Sequence, residues 1–138
     1  MNNKILALDI GDKQTGVAIL NNILATSLES VKTEKILEFI QNYASQNNLQ
    51  KIIIGLPVND DGSENIQCQK VRSWAEKIDA LGEFEIILEN EYLSSIEAQN
   101  NLRVLGLSPK EMKIKEHSEV ARILLEQYLK NVSQKSTI

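Results

Sequence analysis

Three side chains able to bind or protonate a phosphate ester stand at the ends of predicted elements in this 138-residue chain. Asp9 ends one strand, Glu91 ends a later strand, and His117 is predicted to begin the final helix. Because sites in such sheets gather at the carboxyl ends of the parallel strands, we expect the three to converge. Carboxylates without a Cys or Ser nucleophile favour magnesium or manganese. Two such ions can activate water and stabilise the leaving oxygen in phosphodiester cleavage.

Asp9 lies in a strand–turn–strand segment. Residues 4–10 carry apolar side chains on both faces, Gly11 follows two positions after Asp9, and Gly16 opens the second strand. A buried carboxylate is costly unless a metal ion, a basic partner or backbone amides compensate its charge. The glycines allow a sharp turn and leave room for a ligand. The alternative interpretation is a β-hairpin with a solvated aspartate at its mouth.

Apolar patterning along the chain predicts an α/β fold. Strands are expected at 4–10, 15–20, 22–30, 51–56 and 84–90. Helices are expected at 33–48, 65–81, 94–105 and 118–132, and a lysine-bearing connector at 107–116. This order is typical of a mixed sheet of about five strands with an antiparallel edge. We assign residues 1–132 to one domain and 133–138 to a flexible tail.

Local signals suggest how the helices begin, end and pack. Thr33 is a candidate N-cap for the first helix, and Ser94 or Ser95 for the third. Gly106 is placed to end the third helix. Apolar spacing puts Trp74 and Cys68 in the core.

Composition narrows the class of protein. The hydrophobic fraction is 42%, the charged fraction is 25%, and no apolar run approaches the length of a membrane span. With one cysteine and no signal-peptide pattern, we expect a cytoplasmic protein that has no membrane partner. The net charge of -4 argues against a general nucleic-acid coat protein. An enzyme that holds nucleic acid through a local basic patch and metal ions stays possible.

Four segments resemble the YqgF (RuvX) family. They are LDIGDKQTGVA (8–18), IGLPVNDDGSE (54–64), NEYLSSIEA (90–98) and EHSEVARILL (116–125). The resemblance, with the four segments in the family's order, extends over nearly the whole chain. The resemblance implies an RNase H-like fold, a mixed five-stranded sheet flanked by helices. It also implies a metal-dependent nuclease that matures the 5′ end of pre-16S ribosomal RNA in ribosome biogenesis, or alternatively a Holliday junction resolvase in DNA recombination and repair.

The resemblance also assigns the site. The family's first catalytic aspartate falls on Asp9 and its strand-end glutamate on Glu91. Its third carboxylate, an aspartate that opens the last helix, falls on His117, and Asn90 and Tyr92 replace a usual Asp and Arg. We expect Asp9, Glu91 and His117 to be catalytic and to bind magnesium or manganese. His117 is then a nitrogen ligand, a general acid or base, or a structural helix-start residue.

Substrate contacts are expected around the same edge. They comprise Gly11 and Lys13 in the first turn, Asn59 and Ser63 in a polar rim loop, and Lys113 and Lys115 before the last helix. Polar and basic groups of this kind contact phosphates, although such lysines are often only solvated. The partners expected are structured RNA, branched DNA or a pre-ribosomal particle. A junction resolvase needs a two-fold dimer, and the chain could be a monomer or a homodimer.

Two other classes of function stay open. Proteins of the actin, hexokinase and Hsp70 group share an Asp-x-Gly turn before a second strand, but they need two such domains. A non-catalytic nucleic-acid-binding ribosome-assembly factor could keep the fold after losing a metal ligand, and His117 makes this alternative relevant.

Overall fold

The computed structural model describes residues 4–21 and 23–135, with side chains described as far as residue 132. The strands are β1 Lys4–Ile10, β2 Gln14–Asn21, β3 Leu24–Lys32, β4 Leu49–Leu56 and β5 Glu85–Asn90. The helices are α1 Ile36–Gln46, α2 Ile66–Asp79, α3 Tyr92–Val104 and α4 Pro109–Lys135, and a 3-10 turn, Thr33–Lys35, precedes α1. Within the described residues, no helix is both long and apolar enough to cross a bilayer.

The five strands form one mixed sheet in the order β3-β2-β1-β4-β5. The pairs β1–β2 and β2–β3 are antiparallel, whereas β1–β4 and β4–β5 are parallel. Leu8 at the centre of β1 therefore pairs with Val17 on one side and with Ile54 on the other. This arrangement confirms the predicted mixed sheet with an antiparallel edge.

Alternating side chains divide the core between the two faces of the sheet. Leu8 and Ile54 point toward α1 and α2, where they pack with residues that include Ile40 and Val71. That cluster contains Cys68, and Trp74 packs against it, as predicted. On the other face, Ala7, Ala18 and Ile53 of the sheet pack against Ala121 and Leu125 of α4. The long last helix therefore covers the sheet face opposite α1 and α2.

The start of α4 differs from the prediction. The helix begins at Pro109, so residues that we expected in a connector are helical and His117 lies in its third turn. The N–H of Ser108 donates to Oε1 of Glu111 at 3.1 Å, and the N–H of Glu111 donates to Oγ of Ser108 at 3.2 Å. This reciprocal capping box, with proline in the first helical position, sets the helix start.

Two predicted caps were also wrong. The hydroxyl of Thr33 donates to the carbonyl oxygen of Gly11 at 2.7 Å and makes no helix cap, so it ties the start of the first helical segment to the end of β1. Helix α3 begins at Tyr92, before both candidate serines, and Ser94 is buried and donates to Oε1 of Gln127 at 3.0 Å. Gly106, with φ of 72°, follows the end of α3 as predicted.

The predicted end of the last helix and the predicted tail also differ from the structure. Helix α4 continues to Lys135, three residues beyond the predicted end of the domain. The rest of the predicted tail, 136–138, lies outside the described residues, as does residue 22, where the third strand was expected to begin.

Candidate active site

Asp9 and Glu91 are placed by the parallel part of the sheet. Asp9 is the penultimate residue of β1, and Glu91 directly follows β5. Strand β4 lies between β1 and β5 in the sheet. The N–H of Glu91 donates to the carbonyl oxygen of Leu56, at the end of β4, at 3.2 Å. Both acids are buried, with 6% and 7% of their surface exposed. The carboxyl ends of the strands therefore bring the two acids together, as the sequence predicted.

His117 reaches Asp9 from the helical layer. Its Nδ1 donates to Oδ2 of Asp9 at 2.7 Å, since an ionised carboxylate can only accept. The helix comes this close because β2 has a glycine beneath it: a Cβ on Gly16 would lie 2.0 Å from the carbonyl carbon and oxygen of His117. A Cβ on Gly11 would lie 2.9 Å from Cε1 and Nε2 of the imidazole. The two glycines thus make room for α4 and its histidine.

The pair Asp9 and His117 leaves Glu91 without a compensating group. Its Oε2 is buried and has no hydrogen-bond partner among the residues that the structure describes, and Gly55 packs so closely that a Cβ there would lie 2.5 Å from this oxygen. Burial, and then the negative charge of Asp9, raise the pKa of Glu91 to about 10. This confirms the prediction that the neighbouring like charge raises a carboxylate pKa. Conversely, the hydrogen bond to Asp9 raises the pKa of His117 above 6.5.

An open cleft of about 310 Å³ gives solvent access to these groups. Asp9, Glu91, His117 and Gly11 all line it, so the structure brings together the three predicted catalytic residues. Pro57, which begins the polar rim loop (57–64) expected beside the site, also lines the cleft, as does Glu116 next to His117, whereas sequence reasoning missed Asp12, Gln67 and Ser95. Helical spacing offered a signal for Ser95, which lies one turn after Glu91.

The donor set suits a hard cation only in part. The buried, unpaired oxygen of Glu91 beside the carboxylate of Asp9 is the chemistry that magnesium or manganese prefers. The imidazole of His117 is already held by Asp9. In the described part of the chain, no group of three or more His, Cys, Asp or Glu side chains is arranged to hold a metal ion. The two carboxylates therefore fit a cation, and no third ligand is in place.

Of the other predicted substrate contacts, none lines the cleft. Lys13 is exposed in the first turn. In the loop after β4, Nδ2 of Asn59 donates to Oγ of Ser63 at 2.9 Å, so these two groups bond within the loop. Lys113 lines a smaller groove between α3 and α4, whereas Lys115 lines a groove against β3.

Comparisons with known proteins agree with this architecture. The solved structure of T. thermophilus RuvC in complex with Holliday junction substrate superposes with a TM-score of 0.56 at 11% identity, covering 89% of this chain and 92% of that one. At this identity the likeness shows the fold alone, and it confirms the predicted RNase H-like fold.

Sequence relatives are more specific. A protein from Bacteroides fragilis with the name "Putative pre-16S rRNA nuclease" is 33% identical over 135 residues, covering 92% of this chain and 96% of its own. A protein of the same name from Maridesulfovibrio salexigens is 30% identical over 135 residues, covering 91% and 97%. The family model described as RuvX, Holliday junction resolvase, matches residues 3–131. Because that match spans nearly the whole sequence, the chain belongs to the RuvX family, as its four motifs predicted.

Proposed function

We propose that this protein is a nuclease that hydrolyses phosphodiester bonds in structured RNA, and that its role is maturation of the 5′ end of pre-16S ribosomal RNA. The observation that carries this proposal is the convergence of Asp9 and the unpaired Glu91 in one solvent-open cleft. The names of the two relatives support the choice of RNA substrate.

Within this proposal, Asp9 and Glu91 are the residues that would hold magnesium or manganese. A divalent cation bound there supplies positive charge that favours attack by water and stabilises the leaving oxygen. Burial keeps the carboxylates in a low-dielectric setting where such charge is most effective. Glu91 would lose its proton on binding the cation, because the pKa of the unbound carboxyl is raised to about 10.

His117 has two roles in the proposed mechanism. Through Nδ1 it fixes the carboxylate of Asp9 in one orientation. The hydrogen bond to Asp9 raises the pKa of His117 and so favours the protonated imidazole, from which Nε2 would give a proton to the leaving oxygen as the bond from phosphorus to that oxygen breaks. Water supplies the oxygen of the new bond to phosphorus, and the proton that it loses returns through solvent to the imidazole, so the atoms and charges balance.

The proposed substrate contacts surround this centre. Gly11 shapes the wall, since its own N–H is already donated to the carbonyl oxygen of Gln14 at 3.0 Å. We retain Lys13, Asn59 and Ser63 as contacts on the segments that follow β1 and β4, and Lys113 in the adjoining groove. Lys115 faces β3, so it would reach only a substrate that extends around α4.

Cleavage assays test the proposal directly. Purified protein is incubated with a pre-16S 5′ fragment and with a four-way DNA junction, side by side, in magnesium, in manganese and in chelator. We expect metal-dependent cleavage of the RNA. Cleavage of the junction alone, by a dimer, would favour the resolvase that the family description names. Binding of RNA with no cleavage under any of these conditions would favour a non-catalytic assembly factor.

A further inference from the structure

A smaller groove opens off the candidate active site, between α3 and the amino-terminal half of α4. Its volume is about 230 Å³, and Glu116 belongs both to its wall and to the wall of the cleft. At this shared point Nε2 of Gln99 on α3 donates to Oε1 of Glu116 at 2.9 Å. The groove therefore adjoins the cleft at Glu116.

Two cations, Arg103 and Lys113, line this groove and are exposed to solvent. Arg103 donates only to the neutral amide oxygen of Asn100, at 3.5 Å. Among the residues with described side chains, no ion pair involves either cation. Both positive charges are consequently available to a ligand.

The other two arginines of the chain are neutralised. Arg72 pairs with Glu64, and Arg122 pairs with Glu119 and Glu126. In a protein with a net charge of -4, Arg103 is thus the exception, and it lies next to another unpaired cation. A groove with two unpaired cations beside a candidate phosphodiester cleft is suited to the phosphates of the same ligand.

The distances of the two cations from the cleft agree with the spacing of phosphates along a nucleic-acid strand. Lys113 precedes His117 by one helical turn, about 6 Å along α4, and Arg103 lies about 12 Å along α3 from Ser95 at the cleft. A nucleic-acid strand carries one charge per about 3.4 Å of its axis in a duplex. The two cations are therefore placed for phosphates a few nucleotides away from the reacting one. Leu102 and Met112 give the groove an apolar part that sugars and base faces can contact.

We propose that this groove binds the backbone of one nucleic-acid strand where it leaves the cleft, with Arg103 and Lys113 each contacting a phosphate. The inference rests on the proposed nuclease function, because it requires a phosphodiester in the cleft. Phosphate contacts fix the register of the strand without reading its bases. The groove therefore contributes affinity and positioning, with no sequence preference.

The test is binding of a labelled short oligouridylate, followed by fluorescence anisotropy across about 50 to 200 mM salt. Calcium replaces magnesium, and a denaturing gel checks that the strand stays intact. Arg103→Gln, Lys113→Gln and the double variant are compared with Lys130→Gln. Lys130 is an exposed lysine of the same helix, about 25 Å from Lys113 along the axis.

Each single groove variant is expected to weaken binding several-fold and to reduce the slope of log affinity against log salt by about 0.7, and the double variant by about 1.4. Lys130→Gln should match the wild-type protein. Equal thermal midpoints confirm that the exposed substitutions leave the fold intact. If the wild-type protein binds but the groove variants behave like Lys130→Gln, the groove assignment is overturned while the nuclease proposal stands. If the wild-type protein binds neither this RNA nor the pre-16S fragment, both are overturned.

Discussion

Nδ1 of His117 and Oδ2 of Asp9 are joined by a hydrogen bond of 2.7 Å, and this bond determines how charge is distributed in the cleft. The imidazole gives Asp9 a hydrogen-bond donor inside the fold, although only 6% of the surface of Asp9 is exposed. Glu91 receives no such partner. The two carboxyl groups consequently differ: one is paired and the other is held protonated by burial and by its neighbour.

Replacing Asp9 by asparagine should abolish cleavage and keep the fold, because the amide is nearly isosteric but carries no charge to hold a cation. It should also lower the pKa of His117 toward 6.5, because the hydrogen bond to Asp9 is the main cause of its rise. Since His117 is the single histidine of the chain, NMR titration of one imidazole signal measures this shift.

The same variant changes how stability depends on pH. In the wild-type protein, the raised pKa of His117 means that the pair's stabilisation is complete below about pH 6.5 and is lost as pH rises through the raised value. Asp9→Asn should flatten this part of the curve, whereas Asp12→Asn, which alters an exposed ion pair with Lys70, should retain it. Cleavage by folded Asp9→Asn would remove Asp9 from the catalytic role.

Glu91→Gln should stabilise the metal-free protein at pH 8 while eliminating cleavage. The pKa of Glu91 is raised from 4.5 to about 10, so the folded state binds the extra proton and loses stability progressively as pH rises between these values. Glutamine has no proton to lose, and its amide can donate to Asp9. We expect a gain of about 1–3 kcal/mol, the usual cost of an unsatisfied buried polar group.

Chemical denaturation in chelator, from pH 5 to pH 9, measures this difference. Glu97→Gln provides the control, because Glu97 is an exposed acid of α3, the helix that directly follows Glu91. A gain in the free energy of unfolding that is equal for both variants, or independent of pH, would contradict the conclusion that the buried carboxyl of Glu91 destabilises the metal-free protein.

His117→Asp should strengthen magnesium binding and raise magnesium-supported cleavage. The substitution adds a third carboxylate, the ligand type that magnesium prefers, in place of an imidazole that is held by Asp9. Without metal, the variant should be less stable than the wild-type protein, because three acids then face one another. At 100-fold the dissociation constant, bound metal returns about 2.7 kcal/mol, measurable as a rise in thermal midpoint.

The alanine variant removes the imidazole of His117 without adding a carboxylate. His117→Ala should lower manganese-supported cleavage and leave magnesium affinity weak. If metal affinity and cleavage are unchanged in both variants from pH 5.5 to 8.5, then His117 is structural.

Gly16→Ala should destabilise the protein and displace α4. The new Cβ would lie 2.0 Å from the backbone of His117, which cannot move without the helix. We expect a loss of about 1–3 kcal/mol or more, typical of overpacking. The single histidine signal should also change, because the bond to Asp9 lengthens. Gly82→Ala is the control, because its Cβ would meet only the ring edge of Phe84, at 3.0 Å. Similar losses for the two variants would contradict the role of Gly16.

The sheet and the pair of acids could be predicted because both depend on local patterns. Apolar runs located the strands, and parallel pairing then placed Asp9 and Glu91 at one edge. His117 was also expected at this edge, but its position within α4 was predicted wrongly. A signal for the true start of α4 was present in Ser108, Pro109 and Glu111, but lysine-rich polarity up to residue 116 suggested a connector.

The errors at Thr33 and Ser94 have a different cause. Both residues have the side chain of a helix cap, but each bonds instead across the tertiary structure, to Gly11 and to Gln127 respectively. Local sequence cannot distinguish these partners, because they are distant in the chain. The close approach of α4 to Gly16 was also not predictable from local sequence. The glycine suggests a turn, and only the packed structure shows that it makes room for the backbone of His117.

The bond between Asp9 and His117 connects residues 108 positions apart, near opposite ends of the sequence. During translation, the three strands β1, β2 and β3 leave the ribosome long before α4 is made. The proposed catalytic centre is therefore assembled only when α4 docks on the sheet, so its formation depends on contacts of long sequence separation.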